Sequence, residues 1–381
     1  MSGQRIAAKN ILTPEGWRRD AIVEIAADGR IAALHQMNGE PQADLTVETL
    51  LPAPGNVHSH AFQRAMAGLA EHRTADDDDF WTWRALMYHF VERLTPDDIE
   101  AIAAGAVGEF HYLHHQPDGA PYARLSELSE RLFSAAAATG IGYTHLPVLY
   151  MRAGMDGRPL ENGQRRFGAS RDQFEKLFAA ASEAMRFLPA DARMGVAPHS
   201  LRAVDKDGLA FAASLAPDSP VHIHIAEQTG EVDEALAHLG ARPTAWLLDN
   251  INVDARWCLV HATHMNDAEI RAAAASGAAA GLCPITEANL GDGIFPAAAY
   301  LSAGGGVGVG SDSNIRISLT EELRMLEYSQ RLRDRKRAVL ATPEKSCGRY
   351  LLEKAALGGA QALGRDAGRI EAGALADLVA L

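Results

Sequence analysis

The chain has 381 residues, 47% hydrophobic and 22% charged, a composition typical of a globular protein with one large domain and one small one. Its formal net charge of −13, without a dense Lys/Arg patch, argues against nucleic acid or anionic lipid as a partner. The sequence has neither a secretion signal nor the roughly 18 apolar residues of a membrane span, so we expect a cytoplasmic protein. Three widely spaced cysteines without a CxxC pair predict buried free thiols: Cys258, Cys283 and Cys347.

The two ends of the chain share a β character. Short alternating segments at 22–25 and 31–34 flank Asp28-Gly29, which is a hairpin signal. Residues 368–381 repeat this pattern and stop inside an apparent strand, so we expect the last β segment to be cut short. The predicted division is a small β-sandwich domain from both ends around a main domain, with residues 1–51 and 364–381 in the first and 52–363 in the second.

Eight short apolar runs between the two ends predict parallel strands, at 51–57, 106–110, 141–149, 194–197, 220–225, 257–260, 279–282 and 307–309. Segments with helical periodicity separate them, such as 171–187, 267–275 and 319–335. This alternation is typical of an α/β fold. Most of the 15 histidines lie in or just after the runs, at positions 58, 60, 111, 114, 115, 145, 199, 222, 224, 261 and 264. Because a (β/α)₈ TIM barrel builds its site at the C-terminal ends of its strands, this clustering predicts such a barrel rather than a doubly wound sheet.

One crossover segment is shorter than a barrel needs. Residues 96–104 give only about nine helical residues, or about 13 Å at 1.5 Å per residue. A helix that returns along a barrel strand is longer than this. We therefore expect that residues are absent from the sequence between this helix and the second strand.

Histidine pairs on two strands and an aspartate on a third predict a metal site. The motif His58-Ser59-His60 ends the first strand, and the period of two puts both imidazoles on one face. On the fifth strand we take His224 as the ligand, because it lies nearer the C-terminal mouth, and His222 as a core histidine. Asp312 follows the eighth strand. Imidazoles with one carboxylate suit a single Zn²⁺ with an open position for water, and Fe²⁺ is the alternative metal.

Proton transfer is predicted for residues beside these ligands. Glu227 follows His224 by three residues and suits a general acid and base, although an exposed glutamate is the structural alternative. His261, at the end of the sixth strand, can orient or deprotonate a water molecule. Asp312 can both bind the metal and accept the proton of that water.

Four segments carry a resemblance to a known family: PAPGNVHSHAFQ at 52–63, FWTWR at 80–84, HIHIAE at 222–227 and TEANLGDG at 286–293. Nearly the whole chain resembles the formimidoylglutamate deiminases, also called N-formimino-L-glutamate iminohydrolases, of the amidohydrolase superfamily. The resemblance implies zinc-dependent hydrolysis of N-formimino-L-glutamate to N-formyl-L-glutamate and ammonia in bacterial histidine degradation, by a homodimer. It implies one metal rather than two, since residues 194–200 contain no lysine that could bridge a pair.

The resemblance also implies the roles of individual residues. The implied zinc ligands are His58, His60, His224 and Asp312, and the implied proton-transfer residues are Glu227 and His261. The implied substrate-binding residues are Gln63, Arg84, Tyr112, His199 and Arg202.

The two arginines also make independent sense, because arginine matches a carboxylate bidentately and the implied substrate carries two carboxylates. The structural alternatives are an ion pair or helix cap for Arg202 and a solvated loop for Arg84. Tyr112 can reach the site only if its strand ends at His111, because alternation otherwise turns it away.

Two other functions stay open. A deaminase for a cyclic amidine such as guanine would use the same metal ligands, but its base pocket would need aromatic or amide groups where this chain offers two arginines. A non-catalytic barrel scaffold is the second alternative, and it would be expected only if ligands were missing from the pattern.

Overall fold

The computed structural model describes residues 3–40, 42–70, 79–102 and 108–381. In this part of the chain the strands are β1 Gln4–Thr13, β2 Gly16–Ile25, β3 Ile31–Gln36, β4 Leu45–Pro52, β5 Gly108–His111, β6 Thr144–Leu149, β7 Arg193–Met194, β8 Ala197–Pro198, β9 Val221–Ile225, β10 Trp257–His261, β11 Ala279–Leu282, β12 Gly306–Val309 and β13 Leu378–Ala380. The α-helices are α1 Phe80–Val91, α2 Pro96–Ile102, α3 Glu127–Thr139, α4 Arg171–Ala184, α5 Lys206–Leu215, α6 Thr229–Leu239, α7 Pro243–Asn250, α8 Asp267–Ser276, α9 Pro284–Leu290, α10 Ala297–Ser302, α11 Leu319–Asp334 and α12 Cys347–Ala362. Short 3₁₀ helices cover Ala61–Met66, Asn162–Arg166 and Met185–Phe187.

The two ends of the chain pair in one five-stranded sheet, in the order β13-β4-β1-β2-β3. The predicted hairpin joins β2 and β3, and Gly29 in its turn has φ +80°, which glycine adopts at little cost. β13 pairs antiparallel with β4, so the last residues return to the first as the sequence predicts. Ile11, Val23 and Leu50 on this sheet pack in one apolar cluster with Ile370.

Eight parallel segments close into a barrel. β9 to β12 form one run of neighbours, and β5 to β8 form another. Ser200 bridges to His224 and joins the second run to the first at one side. At the other side Ser59, in the first barrel segment, bridges to both Asp312 and Glu109. The ring of parallel pairings confirms the predicted barrel.

Several elements differ in detail from their predicted bounds. The run predicted at 51–57 is divided, because Leu51 and Pro52 belong to β4 and the barrel segment pairs only from Asn56. The fourth strand is split into β7 and β8, between which Val196 bridges to Val221. Residues 103–107 lie outside the described residues, and with them the end of the short predicted helix and the start of the second predicted strand. The predicted helices at 171–187, 267–275 and 319–335 correspond to α4, α8 and α11.

We keep the two-part division of the chain, 1–51 with 364–381 against 52–363, as a proposal. The cysteines are free thiols, with Cys258 and Cys283 buried and Cys347 half-buried. No described helix combines the length and apolar character that crossing a membrane requires.

Candidate active site

The C-terminal ends of the barrel strands bring the four predicted ligand atoms together. His58 Nε2 lies 3.2 Å from His60 Nε2 and 3.1 Å from His224 Nε2. Asp312 Oδ1 lies 3.4 Å from the Nε2 atoms of both His58 and His60. A tetrahedral zinc ion with bonds of about 2.0–2.1 Å would hold its ligand atoms about 3.3 Å apart. The spacing of these four atoms therefore fits one metal ion.

Backbone conformation explains how β12 reaches this cluster. A Cβ on Gly310 would lie 2.7 Å from the backbone N and O of His58, so only glycine allows the close approach of the two segments. Asp312 N then donates to His58 O at 2.9 Å. Asp312 has φ +44° and His261 has φ +64°, a left-handed conformation that side chains rarely adopt. Such strained positions concentrate at functional sites.

The hydrogen bonds of two rings fix which nitrogen faces the cluster. His60 Nδ1 donates to Phe110 O at 3.0 Å, and His224 Nδ1 donates to His199 O at 3.1 Å. A neutral imidazole that donates from Nδ1 carries a lone pair on Nε2. Both lone pairs therefore point at His58 Nε2, which can donate at most one proton. A cation at their centre would satisfy all of them, so the donor set suits a metal.

The ionisation of the cluster agrees with this assignment. Burial lowers the pKa of His58 to about 3 and lowers the pKa values of His60 and His224 as well, so the rings are neutral at pH 7. Burial opposes ionisation of Asp312, but the hydrogen bond from His58 and the nearby rings hold the pKa of its carboxyl below the ordinary value. The cluster thus offers neutral imidazoles and one carboxylate, the ligand types that zinc takes.

Glu227 and His261 lie beside the cluster. His261 Nε2 is 3.7 Å from Glu227 Oε1 and 3.9 Å from Asp312 Oδ2. Burial by itself would lower the pKa of His261, but the charges of Glu227 and Asp312 and a hydrogen bond to Glu287 raise it to about 10. Two carboxylates and an imidazole around one point are suited to moving protons to and from a bound molecule.

The guanidinium of Arg202 is buried and only partly paired. Its Nη2 lies 3.4 Å from Glu227 Oε2, while its Nε and Nη1 have no hydrogen-bond partner among the described residues. The side chain is 6% exposed. Unpaired buried N–H groups are costly, so this fork is suited to an anionic ligand.

Arg84 reaches the same pocket from α1. Its Nη2 donates to the hydroxyl of Tyr150 at 3.0 Å, and its Cζ lies 5.2 Å from the ring centre of Tyr88. Gln63 Nε2 donates to the hydroxyl of Tyr112 at 2.8 Å, while Gln63 Oε1 has no partner among the described residues. β5 ends at His111, which lets Tyr112 turn into the pocket.

The predicted site residues come together in one place. Every one of them except His58 lines a single pocket at the barrel mouth, and His58 is fully buried against them: His60, Gln63, Arg84, Tyr112, His199, Arg202, His224, Glu227, His261 and Asp312 form the lining. His222 lies apart, because its Nε2 donates to Ala362 O at 2.7 Å in the core.

Residue patterns alone missed several contributors to the pocket. Phe110 packs 4.4 Å from the His224 ring and accepts the bond from His60. Tyr150 and Tyr88 surround Arg84. The position of Tyr150 directly after β6 was a usable signal, whereas nothing in the sequence indicates that Tyr88 faces the pocket.

Comparison with known proteins agrees with this architecture. The model of the Amidohydrolase family matches residues 49–381. A formimidoylglutamate deiminase of Pseudomonas aeruginosa is 50% identical over 99% of this chain and 85% of its own length. A 5-methylthioadenosine/S-adenosylhomocysteine deaminase of Natronomonas pharaonis is 30% identical over 99% and 84%, respectively. The crystal structure of an amidohydrolase from Brucella melitensis superposes with a TM-score of 0.94, at 47% identity over 99% of this chain and 86% of that one. The chain therefore belongs to the amidohydrolase family.

Proposed function

We propose that this chain hydrolyses N-formimino-L-glutamate to N-formyl-L-glutamate and ammonia, with one zinc ion per chain. In this reaction the oxygen of water adds to the formimino carbon, and the bond from that carbon to the terminal nitrogen breaks. The observation that carries the proposal is the pair of arginines, Arg202 and Arg84, in the same pocket as the ligand cluster. The 50% identical relative is named for this activity.

The arginines select for the substrate's charge. N-formimino-L-glutamate has two carboxylates, whereas the bases of nucleosides have none. The unpaired Nε and Nη1 of Arg202 match one carboxylate near Glu227, and Arg84 offers a second cation toward α1. A protein of net charge −13 needs such local cations to hold a dianion. This argument favours the deiminase over a purine deaminase like the 30% identical relative.

The catalytic roles follow from the distances in the site. His58, His60, His224 and Asp312 would hold the metal, which when bound activates water and polarises the group under attack. Asp312 takes a proton from the attacking water, and Glu227 delivers a proton to the terminal imine nitrogen. His261, within 4 Å of both carboxylates, orients the water and stabilises the oxyanion of the tetrahedral intermediate. Collapse of that intermediate then expels ammonia.

The wider setting is part of the same proposal. We propose zinc rather than Fe²⁺, because three imidazoles and a carboxylate at these spacings suit zinc. A cytoplasmic homodimer acting in histidine degradation is proposed on the family resemblance. The proposed partner is a small dianionic substrate, with no role for nucleic acid or membrane.

Ammonia release from N-formimino-L-glutamate by the zinc-loaded protein tests the proposal. Formamide, guanine and 5-methylthioadenosine serve as controls that share a C–N bond but lack the two carboxylates. Release confined to N-formimino-L-glutamate is the expected result. Release only from the purines would keep the metal site and overturn the substrate.

A further inference from the structure

Glu287 is a buried carboxylate that contacts the site without lining the pocket. It lies in α9, is 3% exposed, and belongs to the TEANLGDG segment, whose glutamate has no role in the proposed reaction. Its Oε1 accepts from His261 Nδ1 at 3.2 Å and from Cys283 N at 2.8 Å. One carboxylate oxygen therefore ties the ring of His261 to the backbone where α9 begins.

We propose that Glu287 is a positioning residue that holds His261 for the proton transfers of deimination, an inference that rests on the proposed function. A carboxylate accepts the proton of Nδ1, so Nε2 is the nitrogen left facing Glu227 and Asp312. The same logic governs histidines whose second nitrogen is held by a carboxylate in other active sites.

The backbone of His261 makes such a restraint necessary. His261 has φ +64° and the following Ala262 has φ +50°, so the strand turns sharply where the ring leaves it. Within the described residues, the only hydrogen bond given for the His261 ring is the one to Glu287. Without it the ring could rotate about χ1 and χ2 and lose its place between the two site carboxylates.

A second buried glutamate gives a matched control. Glu322 accepts from Ile285 N at 2.8 Å, so it holds the same first turn of α9, and it forms no contact with His261 in the described residues. Replacing either glutamate with leucine leaves one backbone N–H of this turn unpaired. Only Glu287→Leu also releases the His261 ring.

Steady-state kinetics of the zinc-loaded protein give the first test. We expect Glu287→Leu to lower kcat about 10- to 100-fold with little change in KM, the usual effect of losing such a partner. Glu287→Gln, which keeps an acceptor oxygen, should recover part of kcat, and Glu322→Leu should keep it near that of the unchanged protein. In a His261→Asn background Glu287→Leu should cause no further loss. Equal losses in Glu287→Leu and Glu322→Leu would overturn the inference.

Proton NMR of the zinc-loaded protein tests the contact itself, without turnover. An imidazole N–H bound to a buried carboxylate exchanges slowly and resonates far downfield. We expect one such signal that disappears in His261→Asn and Glu287→Leu and persists in Glu322→Leu. Its persistence in Glu287→Leu would contradict the inference. Absence of ammonia release by the unchanged protein would refute the proposed reaction alone, since this signal would still report the contact.

Discussion

His58 Nε2 and His224 Nε2 lie 3.1 Å apart, although 166 residues of chain separate them. His224 donates from its other nitrogen to a backbone carbonyl, so its Nε2 brings a lone pair to this contact. His60 does the same from a neighbouring segment, and Asp312 adds a carboxylate. A metal ion explains why the fold brings these groups face to face.

Removal of the metal should therefore abolish turnover and destabilise the fold. The lone pairs and the carboxylate would then face one another without a cation. For a metal present at a thousand times its dissociation constant, binding contributes about 4 kcal/mol to the free energy of unfolding. Urea unfolding before and after chelation, with metal content measured in parallel, checks this. Equal stability and equal turnover in the two states would contradict the metal site.

Replacement of Glu227 by Gln should remove proton delivery while leaving the metal bound. The amide keeps the size of the side chain and its contact distance to Arg202 but cannot donate an acidic proton. We expect kcat to fall by about 10²- to 10⁴-fold, the usual contribution of general acid–base catalysis. Glu175→Gln, on the exposed face of α4, is the control. Near-normal kcat in Glu227→Gln would show that another group delivers the proton.

Replacement of Arg202 or Arg84 by Met should weaken substrate binding. A hydrogen bond to a charged group contributes about 1.5–3 kcal/mol, which corresponds to a rise in KM of about 10- to 150-fold. Arg186→Met is a control, because that side chain is 76% exposed and pairs only at the surface. An unchanged KM in both pocket variants would mean that the carboxylates bind elsewhere.

Glu109 predicts a pH dependence of stability. Burial raises the pKa of its carboxyl to about 8, despite hydrogen bonds from Ala61 N and Ser59. Between pH 4.5 and 8 the folded chain keeps a proton that the unfolded chain has lost. The contribution to stability is therefore full below pH 4.5 and is lost as the pH rises through 8. Urea unfolding across this range should show a shallower decline in Glu109→Gln than in the unchanged protein, and identical slopes would refute the assignment.

The sequence predicted the barrel and the grouping of the site because both follow from local pattern. Apolar runs that end in histidines mark the C-terminal ends of parallel strands, and these ends meet in one place. The alternation within His222-Ile223-His224 left two histidines on one face, and position along the strand favoured the one that the fold brings to His58.

Other features depended on contacts between distant segments, which local pattern does not encode. The close approach of Gly310 to His58 divides the predicted first strand between β4 and the barrel. The left-handed turn at His261 has no glycine to announce it. Glu287 reads as an ordinary helix residue, and only the packing of α9 against the end of β10 brings its carboxylate to the imidazole.

Identification of the product of N-formimino-L-glutamate labelled with ¹³C at the formimino carbon tests the central claim most directly. Carbon NMR of the zinc-loaded reaction should show that carbon in N-formyl-L-glutamate, with one ammonia released for each molecule formed. This result requires cleavage of the bond to the terminal nitrogen, which Glu227 is proposed to protonate. Labelled formamide with free glutamate would show cleavage of the other C–N bond, and unchanged substrate would refute the proposed reaction.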